Sequence, residues 1–97
     1  MLEGFPKILH FIWLGVNPIP ESFTNVLLPQ WRVKHPEDEG YQIMIWGEAE
    51  VAELDFLQNR EVILNQELNP ALRADFLRIE LLHHFGGLYA DVDMTCE

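Results

Sequence analysis

Hydrophobic residues along this chain form three short runs that predict β-strands. The runs cover residues 8–14, 41–46 and 88–92, and each lies beside glycine or proline. The first is apolar almost throughout, which is typical of a strand that is buried on both faces of a parallel sheet. The second is closed by Gly47, and the third follows directly after two glycines.

The segments between these runs predict helices. A helix starts near residue 20 or 21, with apolar residues at helical spacing as far as Trp31, and Pro29 should kink or divide it. Residues 48–57 predict a second helix, with Val51, Leu54 and Leu57 facing inward, and residues 59–68 predict a further turn or two.

The clearest helix signal comes last. Asn69 and Pro70 are a typical N-cap and first helical residue, and Gly86 and Gly87 supply the stop after Phe85. Two apolar rows predict a broad face that packs tightly on the sheet. These rows are Leu72, Phe76, Ile79 and His83, and Leu77, Leu81 and Phe85.

This alternation of strands and helices predicts a small Rossmann-like α/β fold with three layers and a mostly parallel sheet. We expect the strand order 2-1-3, which places the most apolar strand in the middle. That order creates a switch point between strands one and three, where ligands bind beyond the carboxyl ends of the strands. Trp13 would lie at the end of strand one, and Asp91 and Asp93 at the end of strand three.

Asp91 and Asp93 are separated by one residue, so in a strand both carboxylates point to the same face. Val92 would point the other way, into a core. The paired negative charges would be relieved by a divalent cation, and Mg²⁺ and Mn²⁺ prefer oxygen ligands. The alternative is an ordinary solvated loop, where such triplets are common. The helix, glycine stop and apolar strand that precede this pair favour the metal site.

Two other polar features of the sequence allow alternatives. Asp75 and Arg78 are three residues apart on the last helix, where they form either an ion pair or a fork that orients sugar or ribose hydroxyls. His10 interrupts the first apolar run. A hydrogen-bonded core histidine is the favoured interpretation there, and a ligand-binding role is the alternative.

Composition narrows the class of protein. The 97 residues carry a net charge of −10, from 16 acidic against six basic side chains, which disfavours a nucleic acid or an anionic membrane as partner. Cys96 is the single cysteine, so an intrachain disulfide and a thiolate metal cluster are excluded. We find no signal peptide and no apolar run long enough to span a membrane, so we expect a cytoplasmic protein.

Two stretches resemble glycosyltransferases that carry the DXD sugar-binding region, a family that includes initiating mannosyltransferases, capsular-polysaccharide transferases and clostridial glucosylating toxins. One is Pro6-Lys7-Ile8-Leu9-His10-Phe11-Ile12-Trp13-Leu14-Gly15. The other comprises Ala74-Asp75-Phe76-Leu77-Arg78-Ile79 and Gly86-Gly87-Leu88-Tyr89-Ala90-Asp91-Val92-Asp93-Met94.

The resemblance implies a GT-A fold, a UDP- or GDP-sugar donor, a Mn²⁺ or Mg²⁺ cofactor and transfer with retention at the anomeric carbon. Trp13 would stack on the base, while Asp75 and Arg78 would hold hydroxyls of sugar or ribose. Asp91, with Tyr89 beside it, would contact the donor directly or through metal-bound water, and Asp93 would ligate the metal. Asp91, Asp93 and Arg78 are the candidate catalytic residues.

Residues 1–97 correspond to the N-terminal, donor-binding half of the family domain, because the sequence ends four residues after Asp93. In the family, the residues that follow contact the acceptor, which is unknown here, so this sequence supplies half a site. We expect either a minimal or truncated relative, or a site that a second copy completes. An apolar third strand at a sheet edge also predicts a homodimer. The alternatives to a transferase are a non-catalytic nucleotide-sugar and metal-binding module and a metal-dependent nucleotide-sugar hydrolase.

Overall fold

The computed structural model describes residues 7–92 of the chain. Helices and strands alternate along it. In order, the elements are β1 (Ile8–Ile12), a π-helical segment (Phe23–Leu27) that continues into α1 (Leu28–Lys34), a 3-10 turn (Glu37–Glu39), β2 (Gln42–Trp46), α2 (Glu48–Ala52), α3 (Arg60–Ile63), α4 (Pro70–Phe85) and β3 (Leu88–Tyr89).

The three strands form one parallel sheet in the order β2-β1-β3. Leu9 of the central strand pairs with Ile43 on one side and with Leu88 on the other. Both the predicted α/β class and the predicted strand order are confirmed. The expected switch point between β1 and β3 is therefore present.

Helices cover both faces of the sheet, because β1 is apolar on both sides. Leu9 and Phe11 face one core, which they share with Phe23, Trp31, Ala90 and Val92. Ile12 faces the other core, together with Leu14, Trp46, Val51, Leu57, Ile63, Leu77 and Leu81. The sheet is thus the middle of three layers.

His10 is the polar member of this central strand, and its side chain is fully buried. Trp46 Nε1 donates a hydrogen bond to His10 Nδ1 at 3.1 Å. Nδ1 is therefore the unprotonated nitrogen, and Nε2 donates to the carbonyl oxygen of Gly86 at 2.9 Å. Burial lowers the pKa of His10 from its ordinary value of 6.5, although the bond to Gly86 opposes that shift. The prediction of a hydrogen-bonded core histidine is confirmed.

Helix α4 begins and ends where the sequence predicts. Asn69 Oδ1 accepts a hydrogen bond from the amide of Ala71 at 2.8 Å, and Pro70 occupies the first turn. Gly86 and Gly87 end the helix with positive φ angles of 75° and 96°. A side chain at Gly87 would collide with the backbone carbonyl of Ile8. The turn into β3 therefore requires glycine.

Several boundary or packing predictions differ from the structure. β1 ends at Ile12 rather than at residue 14. β3 ends at Tyr89, because the Ala90 amide makes the last bond to β1, at 3.1 Å to His10 O. The helix predicted over residues 48–57 ends at Ala52. The predicted inward row of Leu72, Phe76, Ile79 and His83 is wrong, since Leu72 and Ile79 are 43% and 63% exposed, whereas Leu77 and Leu81 of the other row are buried. A sheet of three strands is narrow and buries one row of this helix.

Candidate functional site

A crevice of about 620 Å³ opens at the carboxyl ends of β1 and β3. Three segments of the chain meet there: the loop after β1, the first turns of α4 and the residues after β3. Its lining includes Trp13, Gly15, Asn17, Pro70, Ala71, Ala74, Tyr89, Asp91 and Val92. The crevice therefore lies at the switch point of the sheet, where open α/β folds bind ligands.

Trp13 is the first residue of the crevice after β1. Its backbone amide continues the pairing with β2 through a 2.9 Å bond to Trp46 O, which fixes the main chain at this point. The indole Nε1 donates to the carbonyl oxygen of Asn17 at 2.8 Å. Trp13 is half-buried, so part of its aromatic surface is available to a ligand.

Asp91 follows β3 and is exposed in the same crevice as Trp13. Tyr89 points to the same side of the strand and donates its hydroxyl to Asp91 Oδ1 at 2.9 Å. Burial raises the pKa of Tyr89, and the bond to Asp91 raises it further. Tyr89 therefore remains a protonated donor at neutral pH and orients the Asp91 carboxylate. Val92 is buried in the core as predicted.

Asp75 and Arg78 belong to α4 and lie close to Tyr89 of β3. The Arg78 guanidinium is 5.5 Å from the centre of the Tyr89 ring, and the negative charge of Asp75 also acts on the Tyr89 hydroxyl. Arg78 Nη2 and Asp75 Oδ1 are 4.0 Å apart, and both side chains are largely exposed. The two groups are associated loosely, and neither belongs to the lining of the crevice.

The structure contains one polar network that the sequence analysis missed. Arg73 is 1% exposed and forms a bidentate ion pair with Glu48, with Nη2–Oε1 and Nη1–Oε2 distances of 2.7 and 2.8 Å. Arg73 Nε donates to Ile63 O at 2.7 Å, and the Gly15 amide donates to Glu48 Oε2 at 2.8 Å. The signal was present, because Arg73 occupies the same helical row as the buried Leu77 and Leu81.

The acidity of Glu48 reflects these contacts. The hydrogen bonds from Arg73 hold the pKa of Glu48 below its ordinary value of 4.5, against the opposing effect of burial, and the Gly15 amide adds to the lowering. Glu48 is therefore ionised at neutral pH and binds two donors from different elements. The Gly15 amide is part of the loop that lines the crevice.

The carboxylate oxygens in the described part of the crevice suit a hard cation, but they do not surround one. Asp91 offers carboxylate oxygen in the crevice, and its predicted partner Asp93 lies outside the described residues. Within residues 7–92, no three His, Cys, Asp or Glu side chains come together as a metal-binding group. Mg²⁺ and Mn²⁺ sites on phosphate-bearing substrates commonly use one or two carboxylates, with water and phosphate completing the shell. The donor chemistry at Asp91 fits such a cation.

Fold and crevice together define an α/β domain with an open crevice at the switch point of its sheet. A family model described as "glycosyltransferase sugar-binding region containing DXD motif" matches residues 23–97. The chain belongs to this family. In the described residues, no helix is long and apolar enough to cross a membrane.

Curated relatives share this region of sequence. Inositol phosphoceramide mannosyltransferase 1 of Schizosaccharomyces pombe is 28% identical over 100 residues, covering 99% of this chain and 30% of that protein. Inositol phosphoceramide mannosyltransferase 3 of the same yeast is 27% identical over 95 residues, covering 96% and 25%. Subversion of eukaryotic traffic protein A of Legionella pneumophila is 30% identical over 115 residues, covering 93% and 17%.

The chain therefore spans less than a third of the length of each of these relatives. No solved structure matches it at a significant level.

Proposed function

We propose that this chain is the donor-binding part of a glycosyltransferase, which binds a nucleotide-diphosphate sugar through a divalent cation and transfers the sugar with retention. One observation carries the proposal. An aromatic side chain from the end of β1, Trp13, and a carboxylate from beyond β3, Asp91, reach the same crevice although they are far apart in the chain. A nucleotide sugar needs both an aromatic surface for its base and oxygen ligands for its metal.

The side chains around the crevice divide the donor between them. Trp13 stacks on the base, with its indole nitrogen already bonded to Asn17 O and therefore held in position. Asp75 and Arg78 bind hydroxyls of sugar or ribose. Their 4.0 Å separation and exposure favour this role over a structural ion pair, because such surface pairs contribute little to stability.

Asp91 and Asp93 are the expected contacts to the metal, with Asp93 as the direct ligand. Tyr89 donates to one oxygen of Asp91 and leaves the other free for the donor or for metal-bound water. Among the described residues that line the crevice, none is lysine or arginine. A bound Mn²⁺ or Mg²⁺ would supply the positive charge that the leaving diphosphate requires.

Residues 1–97 would be the N-terminal half of the family domain. The curated relatives are more than three times longer, which supports a division in which other segments contact the acceptor. Two alternatives keep the same site: a binding module without transfer, and a hydrolase in which water replaces the acceptor. Turnover assays separate them, since a transferase makes glycoside, a hydrolase releases free sugar and a binding module does neither.

Calorimetry with UDP and GDP tests the metal-dependent site. We expect binding in Mn²⁺ and its loss after the metal is chelated. Asp93→Asn should weaken binding more than Asp91→Asn, because Asp93 is the expected direct ligand. Asp38→Asn, in the exposed 3-10 turn away from the crevice, is the matched control and should bind normally. Equal affinity with metal and with chelator would disprove the proposed site.

We also propose that the chain forms a two-fold dimer through β3. This strand lies at the edge of the sheet, and Leu88 is 54% exposed there. An apolar edge strand can pair with another copy of itself. Light scattering after size exclusion across a concentration range should give the dimer mass. A monomer mass at high micromolar concentration would exclude it.

A further inference from the structure

The Glu48–Arg73 pair lies behind the crevice. None of its atoms belongs to the lining, yet Glu48 Oε2 accepts a 2.8 Å hydrogen bond from the amide of Gly15, which does. Gly15 follows Trp13 by two residues and precedes Asn17 by two. The ion pair is therefore connected directly to the loop that carries the aromatic side of the site.

The same loop is restrained at two more points. Gly15 has a φ of 110°, and a Cβ there would lie 3.1 Å from Pro70 Cγ, so the loop packs closely on the start of α4. Asn17 O accepts the 2.8 Å bond from the Trp13 indole. The position of the indole thus depends on the position of Asn17, and the position of Asn17 depends on how Gly15 is held.

Arg73 makes this restraint rigid. All three of its guanidinium nitrogens donate: Nε to Ile63 O and the two terminal nitrogens to Glu48. A planar guanidinium that is fixed at three points holds the carboxylate in a single orientation. Lysine in this position could not reproduce the fork. The network therefore connects α3, α4 and α2 to one amide of the crevice loop.

We propose that the Glu48–Arg73 pair is a positioning device for the nucleotide base: it fixes the loop at Gly15, and through Asn17 it fixes the face of Trp13 on which the base stacks. Neither residue contacts the ligand. The inference about the base rests on the proposed function, whereas the mechanical link from Glu48 to the indole does not. It assigns a role in affinity to two residues outside the site.

The unmodified protein gives the first test. We expect slow hydrogen exchange at the Gly15 amide, measured by NMR, although Gly15 lies in a loop, because Glu48 accepts that hydrogen bond. The Trp13 indole N–H should also be protected by Asn17 O. Rapid exchange at Gly15, at the rate of an unstructured peptide, would overturn the proposal before any variant is made.

Glu48→Ala gives the second test, with Leu81→Ala as its control. Leu81 is fully buried at the far end of α4, so its truncation lowers the melting temperature without touching the network. Glu48→Ala should speed exchange of the Trp13 indole beyond the level of the control. It should also weaken UDP or GDP binding by at least about fivefold, the low end for coupling between linked sites.

The outcomes separate a positioning role from simple stabilisation. If both variants change indole exchange and affinity equally, the pair acts through stability alone and the proposal fails. If the unmodified protein binds no nucleotide, the proposed function fails, but the exchange of the indole still shows whether Glu48 positions Trp13. Should Glu48→Ala not fold, Glu48→Gln, which keeps the shape and loses the charge, is measured against the same control.

Discussion

Two arginines of α4, Arg73 and Arg78, have opposite surroundings. Arg73 is 1% exposed and bidentate with Glu48 at 2.7 and 2.8 Å. Arg78 is 43% exposed, and its acidic neighbour Asp75 is 4.0 Å away. Both look alike in the sequence, as charged residues on an otherwise apolar helix. Every guanidinium nitrogen of Arg73 donates a hydrogen bond to the protein, whereas within residues 7–92 the guanidinium of Arg78 makes no hydrogen bond.

Burial explains the difference in role. A buried charge must be paired, because the desolvation cost of an unpaired ion is several kcal/mol. An exposed pair contributes little, because water already solvates both groups. Arg73 is therefore committed to the fold, whereas the hydrated Arg78 is the arginine that our proposal assigns to the hydroxyls of a donor. Neither arginine belongs to the crevice lining, but Arg78 lies beside Tyr89, which does.

The largest expected effect is on the buried arginine. Arg73→Ala leaves Glu48 without its partner and should lower the free energy of unfolding by about 3 kcal/mol, the low end for a broken buried pair. The low end applies because the Glu48 side chain remains 28% exposed and partly hydrated. Denaturant unfolding measures the loss. A change below about 0.5 kcal/mol, typical of a surface substitution, would remove the contrast between the two arginines.

The same contrast extends to two tryptophans. Trp46 is 6% exposed and belongs to the core, whereas Trp13 is half-buried and lines the crevice. Trp13→Ala should therefore weaken nucleotide binding by about 1–3 kcal/mol, the usual value of a base stacked on an aromatic ring. Trp13→Phe should retain part of the affinity. If calorimetry shows normal binding by an alanine variant that melts far lower, Trp13 is a core residue.

A smaller effect is expected from pH, at the buried His10. Its pKa is lowered in the folded protein by burial, while the unfolded chain titrates near the ordinary value of 6.5. The free energy of unfolding is therefore unaffected by His10 above pH 6.5. It falls as the pH drops below 6.5, because the unfolded chain then binds a proton that the folded chain excludes. The slope should reach at most about 1.4 kcal/mol per pH unit.

Urea unfolding at a series of pH values between 7.5 and 5 measures this slope. His10→Asn is the matched variant, since it cannot titrate in this range. Glu48 contributes a similar loss only below its own ordinary value of 4.5. An equal slope in the original protein and in His10→Asn would show that another group carries the pH dependence.

The smallest expected change is in the stability of Arg78→Ala, within about 0.5 kcal/mol of the original protein. Its affinity for a nucleotide sugar should nevertheless fall, because the guanidinium beside Tyr89 binds the donor in our proposal. Thermal melting and calorimetry on the same sample give both values. A large loss of stability would show that the exposed pair is structural after all.

Much of this fold could be predicted from the spacing of apolar residues and from the residues that typically start and stop helices. Asn69 and Pro70 mark the start of α4, Gly86 and Gly87 mark its end, and the strand order follows from the apolar β1. The spacing of Asp75 and Arg78 left both an ion pair and a hydroxyl-binding fork open, and the family resemblance favoured the fork and added Tyr89. The structure brings these residues together beside Asp91, while Asp93 lies outside the described residues.

The interior pairing of Glu48 with Arg73 could not be predicted in the same way. These residues are 25 positions apart and come from different helices. Periodicity indicates that Arg73 shares a row with Leu77 and Leu81, but it does not say which acid lies opposite. The exposure of Leu72 and Ile79 was missed for a related reason, since the width of the sheet is a tertiary property.

The pairing of β1 with β3 has a consequence for how the protein folds. Leu9 and Leu88 are neighbours in the sheet but lie 79 positions apart in the sequence (88 − 9). A contact of this kind closes a long loop, which costs entropy before it is repaid and slows folding. During synthesis, β1 and β2 can pair early, but β3 reaches them only after α4 has left the ribosome. The crevice is therefore the last part of this region to assemble.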